Sequence, residues 1–200
     1  MSLFPLKPSA GYKIQSAIRG VNLDAGFISH DVFASALAAV STRYVADTHM
    51  KVGAYTVANA SPGDGFARNV TVTVTADGNA DTMGTVTVTG TDRAGAALTE
   101  AITPVAGSTV QGTKAFKTVT GVVGADWVIN GNNDHIVVGF GDLLGLADKL
   151  SVNSVLFASL NGVREGTAPT VTVSSSVLAL NTVDLSSALN GTTVDVFYLV

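Results

Sequence analysis

Between Asn69 and Thr75 three valines, Val70, Val72 and Val74, alternate with three threonines, Thr71, Thr73 and Thr75. Successive side chains on a strand point to opposite faces, so this run sets an apolar surface against a hydroxyl surface. It specifies a β-strand with one face in a core and the other in water. The alternation returns at Thr85-Val86-Thr87-Val88-Thr89 and again over Thr170 to Ser174. Asp77-Gly78-Asn79 supplies turn residues after the first run, so residues 69–75 and 85–89 are expected to pair as an antiparallel hairpin.

The rhythm continues along the chain. Gly90 to Gly95 reads as a turn, Ala97 to Thr103 as a strand, and Pro104 closes it, because proline cannot donate to a ladder. Further strands are expected over Lys114 to Val123, Trp127 to Ile129, His135 to Gly139 and Ser154 to Leu160. Asn161-Gly162 between Leu160 and Val163 is a type I′ turn signal. Thr170 to Ser174, Val177 to Leu180, Thr182 to Leu185 and Thr192 to Val200 complete the series. Short strands at this spacing predict an all-β, antiparallel sandwich or barrel-like fold with at most one or two short helices. Residues 1–45 differ: Pro5, Pro8, Gly11, Gly20 and Gly26 break up isolated apolar residues. They are expected to form an extended N-terminal arm ahead of a β-rich domain over 46–200, with a division expected near 145–165. One short helix is expected over Asp31 to Val40, which is alanine-rich, with Ser29 as its N-cap.

Composition narrows the functional classes. In 200 residues charged side chains make up 13%, mean hydropathy is +0.40 and 21 residues are glycine. A chain of this length buries roughly 70% of its unfolded surface, and a surface so short of charge points to contacts with other protein copies. The net charge is −4 and the five arginines and six lysines are scattered, so no basic stripe exists for nucleic acid. The run from Gly166 to Val183 is interrupted by Pro169 and Ser174-Ser175-Ser176, so no membrane span is expected. Met1 to Pro8 carries two prolines where an export signal needs an apolar helix. With no cysteine there are no disulfides, thiolate nucleophiles or Cys-based metal sites.

The chemistry-bearing residues form no recognised motif. Asp47 lies two residues before His49, a spacing that invites a metal or triad reading, but no HExxH-like helix accompanies it, and a surface histidine is the expectation. Gly139-Phe140-Gly141-Asp142-Leu143-Leu144-Gly145 follows a strand yet lacks the third glycine of a dinucleotide loop, since Leu144 stands there; it reads as a turn. Asp77, Asn79 and Asp81 imitate the start of a calcium loop, but Thr82 and Val88 occupy the required Gly and Glu positions. Asn132, Asn133 and Asp134 are a second acidic-amide cluster of hairpin type. Glu100 and Glu165 are the only glutamates. Asn69-Val70-Thr71 and Asn190-Gly191-Thr192 have the form of glycosylation sequons and read as polar residues beside a strand and a turn. No catalytic residue, metal or cofactor is expected.

Gly84-Thr85-Val86-Thr87-Val88-Thr89-Gly90-Thr91-Asp92, followed by Ala96 to Thr103 and by Gly112-Thr113-Lys114-Ala115-Phe116-Lys117-Thr118-Val119-Thr120, resembles a recurrent pattern in virion proteins of tailed bacteriophages. Val138 to Asp142 and Leu160 to Glu165 share the likeness, which covers most of the chain beyond Lys51. The resemblance implies a head decoration, or cement, protein made in the host bacterial cytoplasm. Such a protein binds the outer surface of the assembled head, braces major capsid protein subunits and associates with copies of itself as trimers or dimers. It brings no catalytic residues. A tail-tube, baseplate or fibre component, and a carbohydrate- or cell-surface-binding β-sandwich, stand as alternatives. If the arm orders on a neighbour, Phe4, Leu6, Tyr12 and Ile14 are the expected contact residues.

Overall fold

The computed structural model describes residues 14–15, 22–23, 28–75, 82–128 and 134–200. The elements are β1 (Ile14–Gln15), β2 (Asn22–Leu23), β3 (Ile28–Phe33), β4 (Val40–His49), β5 (Gly53–Tyr55), β6 (Arg68–Thr75), β7 (Thr85–Thr91), β8 (Ala97–Ile102), β9 (Thr109–Phe116) and β10 (Thr118–Ala125). The long strand β11 (His135–Gly145) comes next, then β12 (Val155–Leu160), β13 (Val163–Arg164), β14 (Thr170–Thr172), β15 (Thr182–Asp184) and β16 (Val194–Leu199). All pairing between named strands is antiparallel, and the fold is all-β as expected. The one helical element among the described residues is a 3₁₀ turn, Leu178–Leu180, where a strand was expected.

Three sheets enclose two cores. A four-stranded sheet, β5-β10-β7-β8, packs on the first half of a six-stranded sheet, β14-β15-β11-β6-β9, to which β4 adds beside β11. Val70, Val72, Val74, Val86, Val88, Phe116, Ile136, Val138 and Phe140 meet in this first core, so the valine faces seen in the sequence do point inward. A second four-stranded sheet, β13-β12-β16-β3, covers the other half, and Phe33, Leu144, Leu146, Val183, Val194, Val196 and Tyr198 fill the core between them. β11 links the two cores: β6 runs along one of its edges, while β4 and then β15 occupy the other.

Several expectations are corrected. β6 and β7 are not a hairpin; β6 pairs with β11 and β9, β7 with β10 and β8, and the two face each other across the first core. The run 114–123 breaks at Lys117 into β9 and β10, which belong to different sheets. Asp31 to Val40 is not a helix: Asp31 and Phe33 are buried from β3, and Val40 opens β4. Residues 28–45, read as part of an arm, are therefore largely strand, with β3 on β16 and β4 on β11.

The segment 139–145, read as a turn, is strand interior. Between Phe140↔Val70 and Leu144↔Arg68 the strand β11 gains two residues over β6, a bulge that frees its backbone groups from the ladder. Buried side chains satisfy them. Arg68 donates to the Gly141 carbonyl, and Asn69 Oδ1 accepts from Leu143 N–H. Gly139 is required by a close approach: a Cβ there would lie 1.8 Å from the Val40 carbonyl oxygen.

Candidate interaction face

The last strand carries apolar residues on both faces. Val194, Val196 and Tyr198 point into the second core, while Asp195, Phe197 and Leu199 point outward. On its neighbour β3 the outward residues are Ile28, His30 and Val32. The register places Phe197 opposite His30 on one side and Phe157 of β12 on the other, so three rings stand in a row across three strands. His30 stacks on Phe197 with centroids 4.1 Å apart and planes within 8°; Phe197 stacks on Phe157 at 4.6 Å and 23°. The Arg164 guanidinium from β13 ends the row, 5.3 Å from the Phe157 ring centre. His30 Nε2 lies 2.8 Å from Asp195 Oδ1, and Asp195 Oδ2 accepts from Ser159 Oγ at 3.4 Å.

Beside the row on β3 the surface is apolar: Ile28 is 66% exposed and Val32 47%. At the Arg164 end it runs into a groove lined by Asn153, Val155, Phe157, Arg164, Pro169 and Val171. Phe197 is stacked on both faces, Phe157 lies between Phe197 and the Arg164 guanidinium, and His30 gives one face to Phe197. Ring edges and aliphatic side chains suit contact with a protein surface.

The face is held rigidly from behind. Arg93, in the β7–β8 turn, donates from Nη1 and Nη2 to the two oxygens of Asp31 on β3 at 2.9 and 2.8 Å, and Nη1 also donates to the Gly145 carbonyl. Asp31 further accepts from Ala147 N–H and lies 3.2 Å from the Tyr198 hydroxyl, which is 2.9 Å from Asp148. Burial, with Asp31 and Asp148 nearby, pushes the Tyr198 phenol well above its ordinary pKa, so it stays a neutral donor. A turn of the first core is thus pinned to the sheet of the second.

Of the sequence-predicted contact residues, Phe4, Leu6 and Tyr12 are outside the described residues, and Ile14, which alone falls among them, stands opposite Leu23 in the separate β1–β2 hairpin. Asp77, Asn79, Asp81, Asn132 and Asn133 are also outside them, and Asp134 is buried. Asp47 reaches not His49 but His135, at 2.7 Å. Glu100 accepts from the Thr113 and Lys114 backbone and from Thr113 Oγ1, tying β8 to β9. Of the two sequons, Asn69 is fully buried and Asn190 bonds Thr192. The face residues Ile28, His30, Phe157 and Phe197 were missed, although a signal existed: every residue from Val194 to Leu199 except Asp195 is aliphatic or aromatic.

Among the described residues no helix is long and apolar enough to cross a membrane, and no group of three or more His, Asp or Glu side chains is placed to hold a metal ion. No protein-family model, curated protein or solved structure matches the chain.

Proposed function

We propose that the protein is a non-enzymatic structural subunit of a tailed-phage virion, a decoration protein that binds the outer surface of the assembled head and braces neighbouring major capsid protein subunits. The reading draws on the resemblance carried by residues 84–103 and 112–120, and the single structural observation behind it is the outward face of β13-β12-β16-β3. That face combines exposed aliphatic side chains, a row of stacked rings and a rigid backing. Contacts of this kind cost little desolvation, because few charges must be stripped of water. A subunit that binds only the assembled lattice stabilises that state by linkage, in proportion to its affinity and number of sites.

Particles lacking the protein are expected to release DNA at lower temperature or lower external osmotic strength than complete ones, and adding the purified chain back restores them. Depleted particles that are equally robust but fail to adsorb to cells would replace bracing by receptor binding.

A further inference from the structure

We infer that His49 and His135 form a two-imidazole site for a divalent transition-metal ion of the zinc, nickel or copper class. The residues are direct partners across β4 and β11. Their ring centres lie 4.5 Å apart with the planes at 65°. His135 Nδ1 is 2.7 Å from Asp47 Oδ1, which leaves Nε2 as the nitrogen offered to a cation. A carboxylate on one ring nitrogen fixes the tautomer and orientation of a ligating imidazole and raises its basicity. The group is open to water, with the side chains of His135 and Asp47 35% and 67% exposed and His49 on the surface.

The donor type selects the ligand class, because imidazole suits zinc, nickel and copper. With metal–nitrogen bonds of about 2.1 Å, two imidazoles this close subtend roughly a right angle at a shared ion, the cis arrangement of six-coordinate or tetragonal ions. Hard cations such as magnesium and calcium prefer oxygen donors and are not expected here. The groove beside His135, lined by Ser41, Thr42, Thr73 and Thr75, leaves room for water at the other positions. No third protein ligand among the described residues joins the pair, so the site is open and exchanges its metal. It is independent of the proposed head-binding face.

The test uses the full, tag-free chain. On immobilised Ni²⁺ it is expected to be retained until imidazole is raised, with retention lost in His49→Ala and in His135→Ala but kept in His30→Ala. Calorimetry with Zn²⁺ is expected to give about tenfold weaker binding for Asp47→Asn, the loss typical of an orienting carboxylate; an unchanged affinity would overturn the positioning role of Asp47. A second measurement needs no substitution: Ni²⁺ titrated into the wild-type chain broadens the imidazole C–H resonances of His49 and His135 before those of His30. Absence of retention, retention indifferent to both substitutions, or equal broadening of His30 would overturn the site.

Discussion

Arg68 Nη1 donates to Asp64 Oδ2 at 2.6 Å, and both side chains are sealed from solvent. The rest of the guanidinium is occupied as well: Nε and Nη2 donate to the Gly141 carbonyl, Nη2 to the Leu37 carbonyl, and the group lies 4.9 Å from the Phe140 ring centre. Asp64 in turn accepts from the Phe66 and Leu37 backbone N–H groups. Burial pulls the Arg68 pKa below the ordinary arginine value, while Asp64 opposes that shift and keeps the cation favourable. Arg68→Met leaves a buried carboxylate without its cation and removes a donor from two carbonyls, so a loss of roughly 3–5 kcal/mol is expected in urea denaturation. Arg68→Lys does not rescue it, because a single ammonium cannot reach all three acceptors. Near-wild-type stability for either variant would contradict the pair's role.

Glycine substitutions separate close approach from open surface. Gly139→Ala puts a methyl group into the Val40 carbonyl, backbone against backbone, and is expected to cost more than about 2 kcal/mol. Gly166→Ala meets nothing within 4 Å and is expected to stay within about 0.5 kcal/mol of wild type. Thermal denaturation of the two variants side by side checks the difference.

Truncation distinguishes an arm from a strand. Among the described residues neither core draws on anything before Phe33, so removal of residues 1–27 is expected to leave one cooperative unfolding transition with β-type circular dichroism. Removal of residues 1–39 also takes β3, Phe33 and the Asp31 partner of Arg93, and is expected to abolish folding of the second core. Equal behaviour of the two truncations would contradict this boundary.

Glu165 carries a pH dependence. Burial pulls its pKa upward, but donors from Ser186 and Ser187 together outweigh that and hold it below the ordinary value of 4.5. The folded chain therefore favours the carboxylate more than the unfolded chain does. Its contribution is complete above the unfolded value and is lost as pH falls through the folded one. Glu165→Gln is expected to lower stability at pH 7 by about 1 kcal/mol or less, the site being open to solvent. The gap between the two melting temperatures closes as pH falls below the ordinary value; a gap constant down to pH 3 would contradict it.

Charge placed on the proposed contact face isolates binding from folding. Ile28→Lys combined with Val32→Glu alters two outward residues of β3 that are 66% and 47% exposed, so the melting temperature is expected to hold while co-sedimentation with heads is lost. Unchanged co-sedimentation would move the contact elsewhere.

The sequence made strands legible and their partners illegible. Val70-Val72-Val74 and Val86-Val88 announce inward faces, and Asn161-Gly162 takes the two positive φ values, +51° and +74°, that its turn type requires. Alternation does not say which strand lies alongside, so β6 and β7, neighbours along the chain, end in different sheets. Alanine content between Asp31 and Val40 suggested a helix, but Phe33 and Ala36 are core residues and Asp31 holds Arg93, tertiary demands that override propensity. Asp64 lies only four residues before Arg68, but nothing local marks this arginine as the buried one, because the Leu37 and Gly141 carbonyls that complete its shell are distant in sequence. The outward ring row was hidden for the same reason: Phe157, Phe197 and His30 meet only after three strands are in register.

A cryo-EM map of the particles with which the protein co-purifies tests the proposed head-decoration role. Density for this two-core body is expected on the outside of the head, bridging major capsid protein subunits, with β12, β16 and β3 turned toward the shell. Density confined to the tail, or the face of Phe157, Phe197 and His30 turned to solvent in every copy, would contradict it.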